Sequence, residues 1–479
     1  MNLPTEVRYR PYADWTADEI KHIEENVAKS PWHATYHLEP KTGLLNDPNG
    51  FSYFNGKFHL FYQNWPFGAA HGLKQWVHTE SEDLVHFTET GVKLQPDNPH
   101  DSHGAYSGSA YPIDDKLFIF YTGNVRDENW VRDPLQVGAW MDKDGNIEKF
   151  DQVLIQQPSD VTEHFRDPQI FVYQGQFYAI IGAQNLNKQG FIRLYKAVGN
   201  DVHNWELVGD LDFGGTGSEY MIECPNLVFV DGKPVLLYSP QGLDKSELNY
   251  DNIYPNTYKI CQAFDTEKPA LLGASEIHNL DYGFEAYATQ GFNMPDGRAL
   301  IVSWIGLPDV DYPTDQYDYQ GAMSLVKELT LKDGKLYQYP VAAMAELRGQ
   351  AENLADKAQT NNTYELEVTV KANSKAELIL FADKDGKGLS LTVDTENAQV
   401  VLDRSQAGQQ YATEFGTSRS CQIDNHDITL NIFVDKSIVE IFINKGEKIF
   451  TSRVFPDTDQ TGITVKSGSI SGTYYELNY

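Results

Sequence analysis

The chain has 479 residues, of which 41% are hydrophobic and 13% aromatic, so it can bury a large core and is not globally disordered. Its formal net charge is −30, from 68 acidic and 38 basic residues. Nucleic acid and anionic membranes need a basic surface, so this charge argues against either as the main partner. A substrate that carries a phosphate would need a local basic pocket acting against the overall field.

The N-terminal segment, residues 1–30, contains no apolar run that could serve as a signal peptide. No part of the chain approaches the roughly 18 consecutive apolar residues of a membrane span. Three cysteines are an odd number in a long chain, which suits reduced thiols. We therefore expect a cytoplasmic protein. Within this segment, TADEIKHIEENVAKS predicts one surface helix with Thr16 or Asp18 near its cap.

A short pattern then recurs through residues 31–340, in which a two-residue turn leads into a strand rich in β-branched and aromatic residues, a hairpin signal. The five copies are NGKFHLFYQ (55–63), DDKLFIFYTG (114–123), QGQFYAIIGA (174–183), DGKPVLLYSP (231–240) and DGRALIVSWIG (296–306). Their second turn residues are separated by 59, 60, 57 and 65 residues. Because about 60 residues suit a four-stranded blade with long loops, the repeat predicts a five-bladed β-propeller.

The composition changes after the fifth copy. PVAAMAELRGQAENLADKA has the composition and spacing of a helix, so we expect a linker helix over residues 341–358. Residues 359–479 contain short alternating strands separated by Gly, Asp and Asn turns, the pattern of a β-sandwich. The predicted fold is therefore all-β: an N-terminal helical extension, a five-bladed β-propeller over 31–340, the linker helix and a C-terminal β-sandwich.

Four polar residues stand at similar places in the repeat. Asp47, Ser107, Asp167 and Glu223 each lie eight or nine residues before the second turn residue of their copy. They are separated from one another by 60, 60 and 56 residues. Equivalent positions on the first strands of the blades surround the propeller axis. We therefore expect three carboxylates and one hydroxyl to meet in a single funnel.

Such a group of acids has a recognisable chemistry. Carboxylates in one pocket repel one another, so at least one should have a raised pKa and hold a proton at neutral pH. A protonated acid beside an ionised carboxylate is what a glycosidase needs. The same oxygens could instead bind Ca²⁺ or Mg²⁺, and NDPNG and RDP are also ordinary turn sequences. Trp65, Trp76, Gln63 and Tyr106 suit a sugar better than a metal, because they offer stacking faces and hydrogen-bond partners.

From about residue 31 to its end, the chain resembles glycoside hydrolase family 32, the family of invertases, fructan hydrolases and sucrose-6-phosphate hydrolases. The resemblance rests on six motifs in order: YHLEPKTGLLNDPNGFSYFNGKFHLFYQ, YSGSA, FRDP, ECPNL, DYGFEAYATQ and DKSIVEIFIN. It implies the architecture that the repeat predicts, a five-bladed propeller followed by a β-sandwich. It also implies a reaction that needs no metal or organic cofactor.

The resemblance implies catalytic roles for the three acids. Asp47 would be the nucleophile that attacks the anomeric carbon of a β-linked fructosyl unit. Glu223 would be the general acid and later the general base, and Asp167 would hold fructose hydroxyls and stabilise the transition state. The mechanism would be double displacement with retention through a fructosyl-enzyme ester, with the carboxyl carbons of Asp47 and Glu223 about 5–5.5 Å apart.

Further residues are predicted to bind the substrate. Arg166 would pair with the carboxylates of the pocket, and Cys224 would lie beside the acid. Leu44 and Leu45 stand where the family commonly has tryptophan and methionine, and Tyr282 lies in the DYGFEAYATQ motif. The positions that match the fructose subsite of the family are Asn46, Gln63, Trp76, Tyr106 and Ser107.

The departures from the common family pattern cluster near the rim of the pocket and leave the leaving group open. We expect a β-fructofuranosidase that acts on sucrose 6-phosphate or sucrose. A hydrolase of short fructo-oligosaccharides such as kestose and a non-catalytic fructan-binding propeller are the alternatives. The expected partner is a small sugar, with no nucleic acid and no membrane. A phosphate would need basic residues at the rim, and the candidates are His71, Lys74, Arg126, Arg132, Lys188 and Arg193.

Overall fold

The computed structural model describes residues 3–479, and its first elements are helical. They are α1 (Thr5–Arg8), a 3₁₀ helix (Tyr12–Asp14) and α2 (Ala17–Val27). The predicted surface helix is confirmed as α2. Its cap is Thr16, whose Oγ1 accepts from the backbone N–H of Glu19 while the Glu19 carboxylate accepts from the N–H of Thr16. Within residues 3–479 no helix has the length and apolar character that crossing a bilayer requires.

Five antiparallel sheets follow one another along the chain and form the blades of the predicted propeller. The first blade contains β1 (Gly43–Phe54), β2 (Lys57–Trp65), β3 (Gln75–Ser81) and β4 (Thr88–Leu94). The second contains β5 (Ala105–Ile113), β6 (Lys116–Arg126), β7 (Arg132–Met141) and β8 (Ile147–Lys149). Four of the five predicted two-residue turns are confirmed, and in the first of them Asn55 and Gly56 both have the positive φ that a type I′ hairpin turn requires. The fifth prediction is wrong, because the last paired residues there are Asn293 and Ala299 and the loop is longer.

The next two blades occupy residues 161–279. The third contains β9 (Val161–Tyr173), β10 (Gln176–Asn185), β11 (Gly190–Ala197) and β12 (Trp205–Asp210), with a 3₁₀ turn at Val198–Asn200. The fourth contains β13 (Met221–Val230), β14 (Lys233–Gln241), β15 (Thr257–Ile260) and, after the small hairpin β16 (Ala263–Asp265) and β17 (Ala270–Leu272), β18 (His278–Asn279).

The fifth blade also closes the ring. It contains β19 (Tyr287–Asn293), β20 (Ala299–Ile305), β22 (Ala322–Met323), β23 (Lys327–Lys332) and β24 (Lys335–Pro340). The loop after β20 forms a 3₁₀ helix (Pro313–Tyr317) and β21 (Tyr319–Gln320). Because β21 pairs in parallel with β1, the last blade is tied to the first.

The first strand of every blade is bent by a β-bulge at nearly the same place. Two residues of that strand face one residue of the next strand, and the bulged pairs are Asn46-Asp47, Tyr106-Ser107, Asp167-Pro168, Cys224-Pro225 and Ala288-Thr289. In the last three blades the first bulged residue has a positive φ, of 68°, 47° and 52°. A bulge redirects the side chains beside it. Five equivalent bulges therefore direct side chains from five blades toward one end of the axis.

A ring of side chains joins each blade to the next just beyond the bulges. In each case a buried amide or hydroxyl oxygen accepts a backbone N–H of the following blade. The pairs are Asn49 with Gly108, Ser109 with Ile170, Gln169 with Leu227, Asn226 with Gly291 and Gln290 with Phe51. Because the fifth link returns to the first blade, the ring holds the five inner strands in fixed positions.

The C-terminal region is a sandwich of two six-stranded sheets. One sheet contains β25 (Arg348–Asn353), β27 (Thr363–Val370), β32 (Ile428–Asp435), β33 (Ile438–Ile443), β34 (Lys448–Arg453) and β36 (Ile470–Leu477). The other contains β26 (Lys357–Gln359), β28 (Lys375–Ala382), β29 (Leu389–Asp394), β30 (Gln399–Asp403), β31 (Ser418–Gln422) and β35 (Gly462–Ser467). A 3₁₀ turn, Thr413–Phe415, precedes β31. The architecture confirms the predicted propeller followed by a sandwich.

The linker helix predicted over 341–358 is wrong for most of its length. Only Ala342–Leu347 is helical, and it is a 3₁₀ helix. From Arg348 the chain is extended, because β25 pairs with β36 and β26 pairs with β35 at the edges of the two sheets. Strand pairing with residues more than 100 positions away thus overrides the helical propensity of the alanine-rich stretch.

The propeller and the sandwich share a buried ionic cluster, which we call the interface cluster: His37, Lys327, Asp435 and Glu440. His37 lies before β1, and both of its ring nitrogens form hydrogen bonds. Nδ1 lies 2.9 Å from Asp435 Oδ2, and Nε2 lies 3.0 Å from Glu440 Oε1. Lys327 of β23 lies 3.7 Å from Glu440 Oε2. Asp435 also accepts backbone N–H groups from the loop before β1. Each acid of the cluster therefore faces a cation.

Candidate active site

A cavity of about 390 Å³ lies where the five bulges converge. Each blade contributes to its lining from its first strand, and these residues are Asn46, Asp47, Tyr106, Arg166, Asp167, Glu223 and Tyr287. The three predicted acids are thus brought together. They do not share one register position. Asp47 and Ser107 are the second residue of the bulge in their blades, and Asp167 is the first. Glu223 immediately precedes the bulge of its blade. The prediction that these residues occupy equivalent positions on the first strands is therefore correct to within two residues.

Asp47 is held by hydrogen bonds from neutral groups. Ser107 Oγ donates to its Oδ2 over 2.5 Å, and Asn46 Nδ2 donates to its Oδ1 over 3.2 Å. Burial raises the pKa of Asp47, and the charge of Glu223 raises it further, against the lowering effect of these two hydrogen bonds. The neighbouring groups therefore orient the carboxylate of Asp47, but they compensate its negative charge only in part.

Asp167 is buried at the base of the cavity in a left-handed backbone conformation. Its Oδ2 accepts from the backbone N–H of Cys224 over 3.0 Å, and the Cys224 thiol lies 3.6 Å from the same oxygen. Burial raises the pKa of Asp167 to about 7, because the opposing charge of Arg166 is offset by Asp47 and Glu223. The prediction that grouped acids would raise a pKa is met at Asp47 and Asp167.

Glu223 is held at both oxygens by donors of different charge. Arg166 Nη2 donates to Oε1 over 2.7 Å, and the Tyr287 hydroxyl donates to Oε2 over 2.5 Å. Arg166 is positioned in turn by His164, whose Nδ1 lies 2.9 Å from Nη1. Burial and the neighbouring Glu223 raise the pKa of the Tyr287 hydroxyl well above its usual value, so it stays a donor. The predicted pairing of Arg166 with a carboxylate is thus seen with Glu223.

An amide network lies behind Asp47. The Asn46 amide donates to Gln63 Oε1 over 2.9 Å, and Gln63 Nε2 donates to Ser107 Oγ over 2.6 Å. Lys74 donates to Asn46 Oδ1 over 2.5 Å and is 2% exposed. Burial lowers the pKa of Lys74 to about 7, while Asp47 opposes this shift. Lys74 was a candidate for the rim; it lines the cavity, but its ammonium group is bound to Asn46 beside Asp47.

Several predicted binding residues lie behind the cavity or outside it. Leu45 and Trp76 are fully buried in hydrophobic clusters, and the Trp76 indole donates to the backbone of Tyr106. Leu44 lines a neighbouring cavity. The prediction for Tyr282 is wrong: its hydroxyl accepts from Lys448 of the sandwich over 3.0 Å, because it precedes the turn that brings the chain into the fifth blade.

Other residues of the cavity were not predicted. Tyr287 lies ten residues before Gly297 and directly precedes the fifth bulge, as Glu223 precedes the fourth. The spacing of eight or nine residues used above indicates Ala288 or Thr289 instead, so it misses Tyr287. Trp304, of the fifth hairpin copy, also lines the cavity. Arg8 and Tyr9 reach it from the N-terminal segment, and no local pattern in the sequence indicates that contact.

The acids could also be considered as metal ligands. Asp47, Asp167 and Cys224 bring three potential ligand atoms within 4.8 Å of one another. Ca²⁺ and Mg²⁺ require oxygen ligands, and a softer metal requires a thiolate. Burial and the adjacent carboxylates raise the pKa of the Cys224 thiol, so it remains protonated. This donor set favours handling protons over holding an ion.

Comparison with known proteins gives the same picture for both parts of the chain. Residues 37–340 match the glycosyl hydrolases family 32 N-terminal domain, and residues 340–478 match the family 32 C-terminal domain. The chain is 72% identical to a sucrose-6-phosphate hydrolase of Streptococcus mutans serotype c, covering 100% of both chains. It is 48% identical to a sucrose-6-phosphate hydrolase of Lactococcus lactis over 97% of each chain.

Solved structures agree with these sequence matches. A sucrose-6-phosphate hydrolase from Lactobacillus gasseri has a TM-score of 0.97 and 43% identity, covering 100% of this chain and 99% of that one. A β-fructofuranosidase from Bombyx mori, solved as a mutant in complex with sucrose, has a TM-score of 0.85 and 29% identity, covering 96% of this chain and 97% of that one.

Proposed function

Since this chain belongs to glycosyl hydrolase family 32, we propose that it is a β-fructofuranosidase that hydrolyses sucrose 6-phosphate to fructose and glucose 6-phosphate. One observation carries the proposal: Asp47, Asp167 and Glu223 meet in a single cavity lined by all five blades. The substrate is that named for the relatives at 72% and 48% identity.

In the first step, we propose that a carboxylate oxygen of Asp47 attacks the anomeric carbon of the fructosyl unit. The bond from that carbon to the glucosyl oxygen breaks, and its electron pair goes to the oxygen, which takes a proton from Glu223. The hydrogen bonds from Ser107 and Asn46 favour the ionised, attacking form of Asp47. A fructosyl ester of Asp47 and free glucose 6-phosphate result.

In the second step, the Glu223 carboxylate removes a proton from water. The water oxygen bonds to the anomeric carbon, and the ester bond to Asp47 breaks, which restores both acids. Arg166 and Tyr287 hold the two oxygens of Glu223, so the same group can give and take the proton without rotating away. Asp167, fixed by the Cys224 N–H, is suited to accept hydrogen bonds from fructose hydroxyls.

Two further assignments belong to this proposal. Residues 31–340 would be the catalytic domain and 359–479 the supporting sandwich, joined by a short 3₁₀ segment in place of a linker helix. The protein would act in the cytoplasm, because a phosphorylated sugar is charged and is retained there after uptake. The substrate is the only partner that the cavity requires.

The test is a comparison of kcat/KM for sucrose 6-phosphate, sucrose and 1-kestose on the purified protein. We expect the highest value for sucrose 6-phosphate. Equal values for sucrose and its 6-phosphate would contradict the assignment of substrate, and a highest value for 1-kestose would favour a fructo-oligosaccharide hydrolase. Absence of fructose release from all three would contradict the enzyme assignment.

A further inference from the structure

We infer that Arg8, Arg126 and Arg132 form the binding site for the substrate's phosphate group, and that the N-terminal segment is therefore part of the specificity of the enzyme. This inference rests on the proposed function and adds the residues that recognise the charged part of the leaving group. All three arginines line the cavity that contains the catalytic acids. They approach it from two separate parts of the chain.

Arg126 and Arg132 lie opposite each other where β6 ends and β7 begins, and they are paired Cα partners on either side of the turn. The Arg126 guanidinium lies 4.9 Å from the Trp130 ring centroid, and Arg132 lies 5.4 Å from that of Tyr106. Stacking on an aromatic face leaves the edge of a guanidinium free for bidentate contact with an oxyanion. Two arginines are thus held side by side on one wall of the cavity.

Within residues 3–479, none of these three arginines forms a salt bridge with a carboxylate, although Asp309 also lines the cavity. Arg126 Nη1 donates to the Trp130 carbonyl over 2.8 Å, and Nε of both Arg126 and Arg132 is buried without a hydrogen-bond partner in that range. Arg8 donates to the Leu3 carbonyl and the His71 carbonyl, which are neutral. No described ion pair includes any of the three. A buried donor without a partner is costly, so these groups are suited to an anion that arrives with the substrate.

This arrangement contrasts with other arginines in the same acidic chain. Arg193, a predicted rim candidate, donates to Asp160 and Asp210, and Arg348 donates to Glu365 and Glu367. In a chain with a net charge of −30, carboxylates are plentiful, so three arginines around one cavity without such a partner form a distinct basic patch. Lys188, the other outlying candidate, is not part of the cavity lining.

Arg8 is fixed in place by contacts between the N-terminal segment and the propeller. Its carbonyl accepts from the Leu73 N–H over 2.8 Å, and the Tyr12 hydroxyl donates to the Leu73 carbonyl over 2.7 Å. Tyr9 packs edge-on against Trp130 with ring centroids 4.9 Å apart. The segment therefore bridges the β2–β3 loop and the β6–β7 hairpin, and it closes one side of the cavity.

The position of this segment relative to the family domains supports a role in specificity. The match to the family 32 N-terminal domain begins at residue 37, so Arg8 and Tyr9 lie outside the domain that supplies the three acids. The Streptococcus mutans relative nevertheless matches over the whole of both chains, including this segment. Hydrolysis is thus assigned to the propeller, and recognition of the phosphate to two arginines of the propeller together with Arg8 from outside the family domain.

The experiment measures kcat/KM for sucrose 6-phosphate and for sucrose in the full-length wild type, in Arg8→Met and in the double variant Arg126→Met/Arg132→Met. The readout is the ratio of the two values. We expect the ratio to fall roughly 10-fold in Arg8→Met and roughly 100-fold or more in the double variant, since each lost contact to a charged group is worth about tenfold or more. The loss should appear mainly in KM for the phosphorylated sugar.

Two controls keep the result interpretable. Arg298→Met removes an exposed arginine that pairs with Asp296 at a hairpin turn, and it should leave the ratio unchanged. Arg126→Lys/Arg132→Lys keeps the charge and the packing stem, so it should recover part of the ratio even if the methionine variant folds poorly. Inhibition of sucrose hydrolysis by glucose 6-phosphate, compared with glucose, gives the same measurement without turnover of the phosphorylated substrate.

The outcomes separate the two proposals. A wild-type ratio near one contradicts sucrose 6-phosphate as the substrate. A high wild-type ratio that persists in both methionine variants overturns the phosphate site and leaves the proposed function intact. A ratio that falls with Arg126 and Arg132 but not with Arg8 overturns the part assigned to the N-terminal segment.

Discussion

The catalytic cavity and the interface cluster both bury carboxylates, and they differ in what faces each acid. At the interface, burial opposes ionisation, but hydrogen bonds and the charges of His37 and Lys327 outweigh it and lower the pKa of Asp435 and Glu440. In the cavity, burial and mutual repulsion dominate and raise the pKa of Asp47 and Asp167. The pKa of a buried carboxyl group is thus lowered where cations face it, as at Asp435 and Glu440, and raised where other acids do, as at Asp47 and Asp167.

The largest expected effect is in the cavity. Asp47→Asn should lower kcat by roughly 10⁴-fold or more, because the amide cannot form the fructosyl ester. It also removes an incompletely compensated charge that is partly buried, so the free energy of unfolding should not decrease. Kinetics with sucrose 6-phosphate and urea unfolding measure the two effects. The matched control is Asp115→Asn at the exposed β5–β6 turn, and an equal loss of activity there would contradict the assignment.

Glu223→Gln should lower kcat by about 10²- to 10⁴-fold, the range for loss of a general acid and base. The first step needs a proton only when the leaving group is a poor one. The loss in the rate of formation of the fructosyl enzyme should therefore be much smaller with a nitrophenyl fructoside than with sucrose, as followed by the burst of nitrophenol. An equal loss with both substrates would argue against Glu223 as the acid.

Asp435→Asn tests the other side of the comparison. It leaves His37 and the donors around it facing a neutral amide, and breaking a buried ion pair costs about 3–5 kcal/mol. We expect the free energy of unfolding to fall by that amount while kcat of the folded fraction stays near the wild-type value. Asp385→Asn, at an exposed turn of the sandwich, should change it by less than about 0.5 kcal/mol. A large loss of kcat with unchanged stability would show that the interface cluster acts on catalysis.

A pH titration gives a smaller effect with a defined sign. Burial alone would lower the pKa of His37, but the hydrogen bonds to Asp435 and Glu440 outweigh it and raise the pKa to about 9. Because its pKa is raised, His37 stabilises the folded state fully at pH values below about 6.5, which is its pKa in the unfolded chain. This contribution is lost as the pH rises through 9. The free energy of unfolding should therefore fall by on the order of 3 kcal/mol over that window.

The difference between wild type and His37→Gln isolates this contribution from other titrating groups. The pH dependence should flatten in His37→Gln and remain in His22→Gln, which changes an exposed histidine of α2. Identical slopes in wild type and His37→Gln between pH 6.5 and 9 would show that folding does not raise the pKa of His37.

The features that could be predicted from the sequence are those that follow from its repeated pattern. Five hairpin copies gave the propeller, and the common spacing of Asp47, Asp167 and Glu223 placed them in one cavity. Their exact register could not be predicted, because it depends on a bulge that inserts one residue at slightly different points of each strand.

Contacts between segments far apart in the chain could not be predicted from the sequence either. The approach of Arg8 to the loop at Leu73 and the ion pairs of His37 join residues tens to hundreds of positions apart, and no local periodicity encodes them. The same limitation explains the linker: a stretch with helical propensity became extended once β36 offered it a partner. Local patterns report on what a segment can form, and distant partners decide the outcome.

The five equivalent bulges have a consequence for how this enzyme could change. In or directly before each one, a side chain lines the same cavity from a separate blade, while the ring of amide and hydroxyl links holds the backbone. The fifth bulge carries Ala288, a residue without chemistry of its own. In a scaffold of this kind the backbone fixes where a functional group lies, and the side chain alone decides which group it is. New substrate preferences can therefore be acquired by single substitutions in separate blades, without a change in the backbone of the pocket.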